Sequence, residues 1–241
     1  MTPFMSIPGL GGPTPSFAKG KASGEASFSL KYYMHGSKMG LWRMFWADGG
    51  YGDGGTRYDL KIYAPSEGGT GYFDYLNGAK QTASNQAWRP ATVDLSPHWG
   101  KTGCVVIVYF KNITGWQGDL CFDTMSLTLN GVSTDYSVGS TTNQWKCTDP
   151  GQTYVSDAAT YASFSSGTAG TEVTPTTANN VRPGVIDSGY TASSSTQTGP
   201  NSGDGGSGYY LYIETSSIPS INMNSTGRYC FLYTTQMTLS D

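Results

Sequence analysis

The chain has 241 residues, of which 33 are glycine and 12 are proline, and only 13% are charged. So many turn-forming residues exclude a helical bundle, and an aromatic content of 13% argues against intrinsic disorder. The net charge of −3 leaves no basic surplus to neutralise phosphates, which disfavours nucleic acids and anionic membrane surfaces as partners. No apolar run is long enough for membrane insertion as a helix.

The composition favours an extracellular location or the surface of a virion or cell. The chain has four cysteines and few lysines, and the sequons Asn112-Ile-Thr and Asn224-Ser-Thr make Asn112 and Asn224 candidate glycosylation sites. The N-terminal segment lacks a basic stretch followed by a long apolar core, so we expect no signal peptide in the chain as given. We therefore expect a mature or excised fragment, or a virion protein.

Strand patterns dominate the chain. Residues 1–23 are rich in proline and glycine and predict an extended arm. From Phe28 to Met34 apolar and polar residues alternate, which predicts a half-buried β-strand. Further strands are predicted at residues 41–46, 58–63, 104–110, 120–129, 209–215 and 229–239.

The connections between these strands indicate the fold class. We expect the strand at residues 120–129 to be the hairpin partner of the apolar run at 104–110. Residues 132–180 are dominated by threonine, serine, glycine and asparagine, and predict loop or weak edge strand. Many short strands between glycine-rich turns predict an all-β, antiparallel sandwich or jelly roll.

Four segments carry motifs that occur together in one family of extracellular domains. The first half contains Phe28-Ser-Leu-Lys-Tyr-Tyr-Met-His-Gly36, Trp88-Arg-Pro-Ala-Thr-Val-Asp-Leu-Ser96 and Asp119-Leu-Cys-Phe-Asp-Thr-Met-Ser-Leu127. The second half contains Thr198-Gly-Pro followed by Gly208-Tyr-Tyr-Leu-Tyr-Ile-Glu214. Together these segments resemble the MAM domains of extracellular adhesion proteins and receptor ectodomains, which implies a jelly-roll β-sandwich.

The order of the motifs is reversed relative to that family. The family's late strands correspond to residues 24–131 and its early strands to residues 181–241, with residues 132–180 as the connector. The resemblance therefore implies a sandwich in permuted order within one chain, or one completed by a neighbouring subunit through strand exchange. A fragment cut out of phase from a tandem array is a third interpretation.

We therefore predict a non-enzymatic structural or adhesion protein that forms homo-oligomers or filaments, a protomer of a head-to-tail fibre or surface assembly. The alternative is a lectin-like module on a jelly-roll scaffold that binds glycans. Enzyme chemistry finds little support, since the chain has only His35 and His98, both expected at the surface or rim, and no carboxylate pair across a cleft. The sequence Gly50-Tyr-Gly-Asp-Gly-Gly55 precedes a strand and not a helix, so we predict a turn and no dinucleotide site.

A structural calcium ion is the one cofactor that we consider. Asp48 precedes the glycine-rich loop and Asp53 lies within it, and carboxylates grouped in this way either bind calcium or form a solvated acidic turn. The resemblance adds Asp123 and Asp204 as an alternative pair of ligands. The family's acidic motifs are altered at both places, so the resemblance supports this pair only in part.

The cysteines and the loop aromatics complete the candidate site residues. For the cysteines we predict the disulfides Cys104–Cys121, across the expected hairpin, and Cys147–Cys230, with buried thiols as the alternative. Aromatic residues in expected loops are candidates for stacking on a sugar. These residues are Trp99, Trp116, Tyr51 and Tyr72.

Overall fold

The computed structural model describes residues 24–50, 56–83, 85–111, 113, 118–137, 145–147, 152–153, 171–172, 175–176, 184–187, 200, 202–206, 209–214 and 228–240. Two antiparallel sheets pack against each other, which confirms the predicted all-β sandwich. Three 3-10 turns, Pro65–Glu67, Ser96–His98 and Asp204–Gly206, are the helical segments of this part of the chain. No helix within these residues is long and apolar enough to cross a membrane.

The strands follow one another in short segments along the chain. They are β1 (Ala26–His35), β2 (Leu41–Asp48), β3 (Arg57–Leu60), β4 (Ile62–Tyr63), β5 (Tyr72–Phe73), β6 (Leu76–Asn77), β7 (Arg89–Asp94), β8 (Thr102–Lys111), β9 (Asp119–Leu129), β10 (Val132–Asp135), β11 (Trp145–Cys147), β12 (Gln152–Thr153), β13 (Thr171–Glu172), β14 (Pro175–Thr176), β15 (Gly184–Asp187), β16 (Tyr209–Glu214), β17 (Arg228–Thr234) and β18 (Met237–Thr238).

The strands form two sheets. The first sheet has the order β14-β15-β16-β9-β1-β7-β4-β5, and β10 also pairs with β9. The second sheet has the order β13-β11-β17-β8-β2-β3, with β12 on β17, β18 on β8 and β6 on β2. All of these pairs are antiparallel except β14 with β15.

Side-chain alternation places the main core between the two sheets. Phe28, Leu30 and Tyr32 of β1 are at most 2% exposed and belong to one cluster with Trp42 and Trp46 of β2. Successive side chains of a strand point to opposite faces, so one face of each strand enters the core. The alternation predicted at residues 28–34 is therefore confirmed.

The outer faces of the central strands are buried as well. Val106 and Val108 of β8 cluster with Phe45 on the outer side of the second sheet. Tyr33 and Cys121 belong to a third cluster, outside the first sheet. Burial on both faces explains why the sequence of β8 is a continuous apolar run and not an alternating one.

Two predictions about the strands are wrong. The strands at 104–110 and 120–129 are not a hairpin, because β8 belongs to the second sheet and β9 to the first. The strand predicted at residues 58–63 divides at Lys61 into β3 and β4, which lie in different sheets. Both errors arise because consecutive strands of a sandwich often change sheet.

An irregularity in β9 shapes the first sheet near its middle. Ser29 of β1 lies opposite Ser126, whereas Lys31 lies opposite Asp123, so β9 contains one extra residue. Thr124, in this bulge, has a φ of 47°, which is uncommon for a residue other than glycine. The bulge changes the direction of the chain beside Asp123.

His98 is buried, which corrects the expectation that it lies at the surface or rim. The side chain is 5% exposed, and its ring stacks on Trp46 with 5.6 Å between ring centroids. Tyr58 contacts it from another side at 4.8 Å. Burial lowers the pKa of His98 because the charged imidazolium would lose its hydration, and this outweighs the attraction of Asp48 and Asp94.

We expect His98 to make the protein less stable in mild acid. Because the pKa of His98 is lower in the folded state, the neutral side chain contributes fully to the stability of the fold above the ordinary pKa of 6.5. This contribution is lost as the pH falls below that value. The free energy of unfolding should change by at most about 1.4 kcal/mol per pH unit. Urea unfolding between pH 7 and pH 5 measures it, and His98→Phe should flatten the profile. Equal slopes for His98→Phe and the wild type would contradict this assignment.

Candidate functional site

One boundary divides both sheets between the same two parts of the chain. In the first sheet β9 meets β16, and in the second sheet β8 meets β17. Strands of residues 145–241, the C-terminal half, pair across this boundary with strands of residues 24–137, the N-terminal half. In the first sheet the boundary follows residues 119–122 of β9, because β10 of the N-terminal half pairs with residues 126–129 on the same edge of that strand. We call the boundary the seam. In this structure both halves belong to the same chain.

The seam in the first sheet is apolar on its inner face. Leu211 lies opposite Phe122, and Ile213 lies opposite Leu120. All four side chains are 0% exposed and belong to the main core. The two strands therefore bury a continuous apolar surface across the seam.

The seam in the second sheet has the same character. Leu232 of β17 pairs with Ile107 in the core, and Phe231 pairs with Val108 on the outer face. Beyond the ladder, the hydroxyl of Thr234 accepts a hydrogen bond of 3.1 Å from the backbone N–H of Val105. Both faces of this sheet thus hold the two halves together.

A tryptophan anchors the first described residues of the C-terminal half. Trp145 is fully buried, and its ring lies edge-on to Phe28 with 6.1 Å between centroids. Its indole N–H donates to the carbonyl of Tyr136 at 2.9 Å. A residue on β11 therefore packs directly into the N-terminal half, close to the point where the two halves connect in sequence.

Polar contacts also cross the seam, at the bulge of β9. The buried carboxylate of Asp123 accepts the backbone N–H of Thr124 through Oδ1 and that of Asp204 through Oδ2, both at 2.7 Å. The carboxylate of Asp204 accepts the ammonium of Lys31 at 2.7 Å and the hydroxyl of Thr124 at 2.8 Å. The structure therefore brings together the two aspartates that the resemblance paired.

The calcium prediction fits this arrangement poorly. Both oxygens of Asp123 accept backbone N–H groups, and Asp204 already binds the ammonium of Lys31. Asp48 lies at the end of β2 in the other sheet, where it accepts the indole N–H of Trp46, and Asp53 lies outside the described residues. In the part of the chain that the structure describes, no three acidic, cysteine or histidine side chains group around one point. Calcium binding stays a prediction.

A groove lies over the outer face of the first sheet, next to this polar cluster. It has a volume of about 450 Å³ and is lined by Lys31, Gln86, Trp88, Ser202, Asp204 and Gly206, among others. The indole N–H of Trp88 donates to the carbonyl of Ser202 at 3.1 Å. We call this feature the Trp88 groove. Residues of both halves line it, so it forms only when the seam is closed.

Of the predicted aromatic ligand residues, Trp99 and Tyr72 lie outside this groove. Trp99 packs against the main core, and a Cβ atom on Gly24 would collide with its ring. Tyr72 is 61% exposed, as expected for a surface residue, and its ring lies 4.9 Å from that of Tyr63. Trp116 and Tyr51 lie outside the described residues. Sequence reasoning missed Trp88 as a site residue because it was assigned to a family motif; the glycine- and asparagine-containing loop before it was the available signal.

The predicted disulfide Cys104–Cys121 is wrong. Cys104 lies on the outer face of the second sheet and Cys121 on the outer face of the first, and both are buried and outside any disulfide. The sandwich core separates the two positions, because the strands that carry them are not a hairpin. Cys147 lies opposite Leu232 in the register of β11 with β17, and Cys230 is two residues away along β17. The pair Cys147–Cys230 stays a prediction, as does glycosylation of Asn112 and Asn224, which lie outside the described residues.

Comparison with family models, with curated proteins and with solved structures found no significant match. The resemblance to MAM domains therefore rests on the sequence motifs alone.

Proposed function

We propose that this chain is a non-enzymatic subunit of an extracellular or surface assembly, in which the C-terminal half of one copy closes the seam of the next. The observation that supports this proposal is the position of the seam, which separates the same two chain segments in both sheets. A part that crosses a single boundary can be exchanged between copies without changing any contact within either half.

Separation of the two halves would expose strand edges and apolar surface. Without the C-terminal half, β8 and residues 119–122 of β9 would expose unpaired edges, and the inner face of each sheet would lose the apolar cover next to those edges. Side chains such as Phe122 and Ile107, which are fully buried here, would then be partly exposed to water. A second copy offers the same strands in the same register, so the contacts of the seam are satisfied equally well in cis or in trans.

The connection between the halves decides which neighbours are within reach. Seven residues, 138–144, separate Ser137 from Trp145. When fully extended, the eight Cα–Cα steps from Ser137 to Trp145 span at most about 29 Å. Exchange is therefore limited to directly adjacent copies. Head-to-tail exchange produces an open filament, whereas reciprocal exchange between two copies produces a closed dimer.

A cross-strand disulfide tests the exchange. Tyr212 lies opposite Cys121 across the seam, so Tyr212→Cys places two cysteines at a spacing that a disulfide tolerates. After mild oxidation, we expect non-reducing gel electrophoresis to show a ladder of covalent oligomers that collapses to monomer with reductant. Light scattering of the unmodified protein should show particles larger than a monomer.

The matched control uses the same native cysteine within one half. Tyr33 lies opposite Cys121 on the other side of β9, so Tyr33→Cys should give only an internal bond and a monomer band. Wild-type protein, oxidised in the same way, shows whether the native cysteines form disulfides without the added cysteine. A single monomer band for Tyr212→Cys at all protein concentrations, together with a folded monomer by light scattering, would exclude assembly by exchange.

A further inference from the structure

We propose that the Trp88 groove binds a neutral carbohydrate. This site is distinct from the residues that the sequence suggested for sugar binding, and it does not depend on whether the seam closes in cis or in trans. Lys31 and Trp88 come from the N-terminal half, whereas Ser202 and Asp204 come from the C-terminal half. Any closed seam therefore builds the groove.

The ion pair in the groove retains hydrogen-bonding capacity. Lys31 donates one hydrogen bond, to Oδ2 of Asp204, and Thr124 donates to the same oxygen. Among the described residues, two N–H donors of Lys31 and the Oδ1 atom of Asp204 have no further partner. The two side chains are 37% and 18% exposed, so a ligand in the groove can reach them. Adjacent sugar hydroxyls donate and accept at once, which matches a donor and an acceptor held side by side.

The charges of the groove favour a neutral ligand. Lys31 and Asp204 lie 2.7 Å apart and cancel each other at short range. An anion would approach the carboxylate of Asp204, and a cation would approach the ammonium of Lys31, so each would meet repulsion as well as attraction. A polyhydroxylated, uncharged molecule gains hydrogen bonds to both groups without this repulsion.

Trp88 supplies the apolar wall that a sugar ring needs. Its indole N–H is already bonded to Ser202, and its ring packs on Tyr33 and Tyr210 with centroid distances of 5.5 and 5.6 Å. These contacts fix the ring, and its remaining surface lines the groove. A fixed aromatic face binds the C–H face of a pyranose with little loss of side-chain freedom. The volume of about 450 Å³ falls within the range typical of small-ligand sites.

Ligand-observed NMR can test this proposal on the full chain. The probes are glucose, galactose, mannose and their N-acetylated derivatives, with N-acetylneuraminic acid and a heparin disaccharide as charged probes. At about 10 mM, well above a millimolar dissociation constant, we expect saturation transfer to at least one neutral sugar. Lys31→Met should weaken this binding about tenfold, since it removes charge-assisted hydrogen bonds.

Matched variants separate recognition from folding. Lys61→Met removes the ammonium of another ion pair, Lys61–Asp74, which lies outside the groove, and should leave binding unchanged. Asp204→Asn keeps the shape of the loop residue and should also weaken binding, which provides a second test if Lys31→Met does not fold by circular dichroism. Absence of transfer to every neutral sugar, equal binding by Lys31→Met and wild type, or binding of the anionic probes alone would each overturn the proposal. Because the assembly test uses oxidation and particle size, the two proposals fail separately.

Discussion

Replacing Ile213 with aspartate is expected to unfold the protein. Ile213 is 0% exposed on β16, opposite Leu120, and its neighbour on the same face, Leu211, is equally buried. An aspartate there would place a carboxylate in the main core without a partner, or would have to bind a proton to remain buried. We expect the free energy of unfolding to fall by about 4 kcal/mol or more, which is a large part of the total stability of a typical domain. Urea unfolding followed by near-ultraviolet circular dichroism measures this loss.

Two matched variants show whether burial at this seam position is the cause. Ile213→Val keeps the apolar contact and should cost only about 0.5–1.5 kcal/mol. Val132→Asp adds the same carboxylate to β10, where Val132 is 72% exposed, and should change stability by less than about 0.5 kcal/mol. A wild-type urea midpoint for Ile213→Asp would remove β16 from the core and with it the seam in the first sheet.

Replacing Glu67 with alanine is expected to release the segment between β4 and β5 from the sandwich. Glu67 is the last residue of the 3-10 turn Pro65–Glu67, and its side chain is 6% exposed. Its carboxylate accepts hydrogen bonds from the hydroxyl of Tyr32 at 2.5 Å and from Arg89 at 2.6 Å, and it contacts the ammonium of Lys80 at 3.1 Å. Removal of the carboxylate leaves two cations and a buried hydroxyl without their shared partner. Because Arg89 and Lys80 are partly exposed, we expect Glu67→Ala to lower the free energy of unfolding by about 2–3 kcal/mol. The full cost of leaving a buried ion unpaired would be larger.

A surface ion pair provides the control for Glu67→Ala. Lys61 and Asp74 are 50% and 63% exposed, so Asp74→Ala should cost less than about 1 kcal/mol. Equal losses for the two variants, measured by chemical unfolding at pH 7, would show that the Glu67 network contributes no more than a surface pair.

The Glu67 network also predicts a loss of stability in acid. Burial would raise the pKa of Glu67, but hydrogen bonds from Tyr32, Arg89 and Lys80 outweigh this effect and lower it below 4.5. The stabilisation is therefore complete above the ordinary pKa and is lost as the pH falls below about 4.5 through the lowered value. Glu67→Ala should lose this part of the pH dependence, whereas the slope that we assign to His98, between pH 7 and pH 5, should remain. Unfolding curves at closely spaced pH values separate the two windows.

The sequence predicted the positions of the strands better than it predicted which strands lie next to each other. The alternation at residues 28–34 identified both β1 and its inward face, and the apolar run at 104–110 identified β8. Both predictions use patterns within a few residues, which depend on the local geometry of a strand. The hairpin of β8 with β9 was wrong because the apolar pattern of each strand is compatible with either sheet. The disulfide Cys104–Cys121 failed with it.

The candidate sites could be predicted only in part. The resemblance brought Asp123 and Asp204 together correctly, yet it gave no sign that Lys31 would supply the positive charge between them. The sequence marked Trp88 as a motif residue but did not predict its groove, because the opposite wall comes from residues more than 100 positions later in the chain. Glu67 was one of four glutamates without a distinguishing neighbour in sequence. Its partners Tyr32 and Arg89 come from β1 and β7.

Side-chain alternation and turn composition act over a few residues, so the sequence was enough to predict a β-sandwich with little charge. The folded structure was needed to show which strands meet, that one seam separates the same two halves in both sheets, and that Lys31, Trp88 and Asp204 face a common groove. These contacts join segments far apart in the chain. Their pairing depends on which apolar faces are buried together, and the pattern of any single strand does not contain that information.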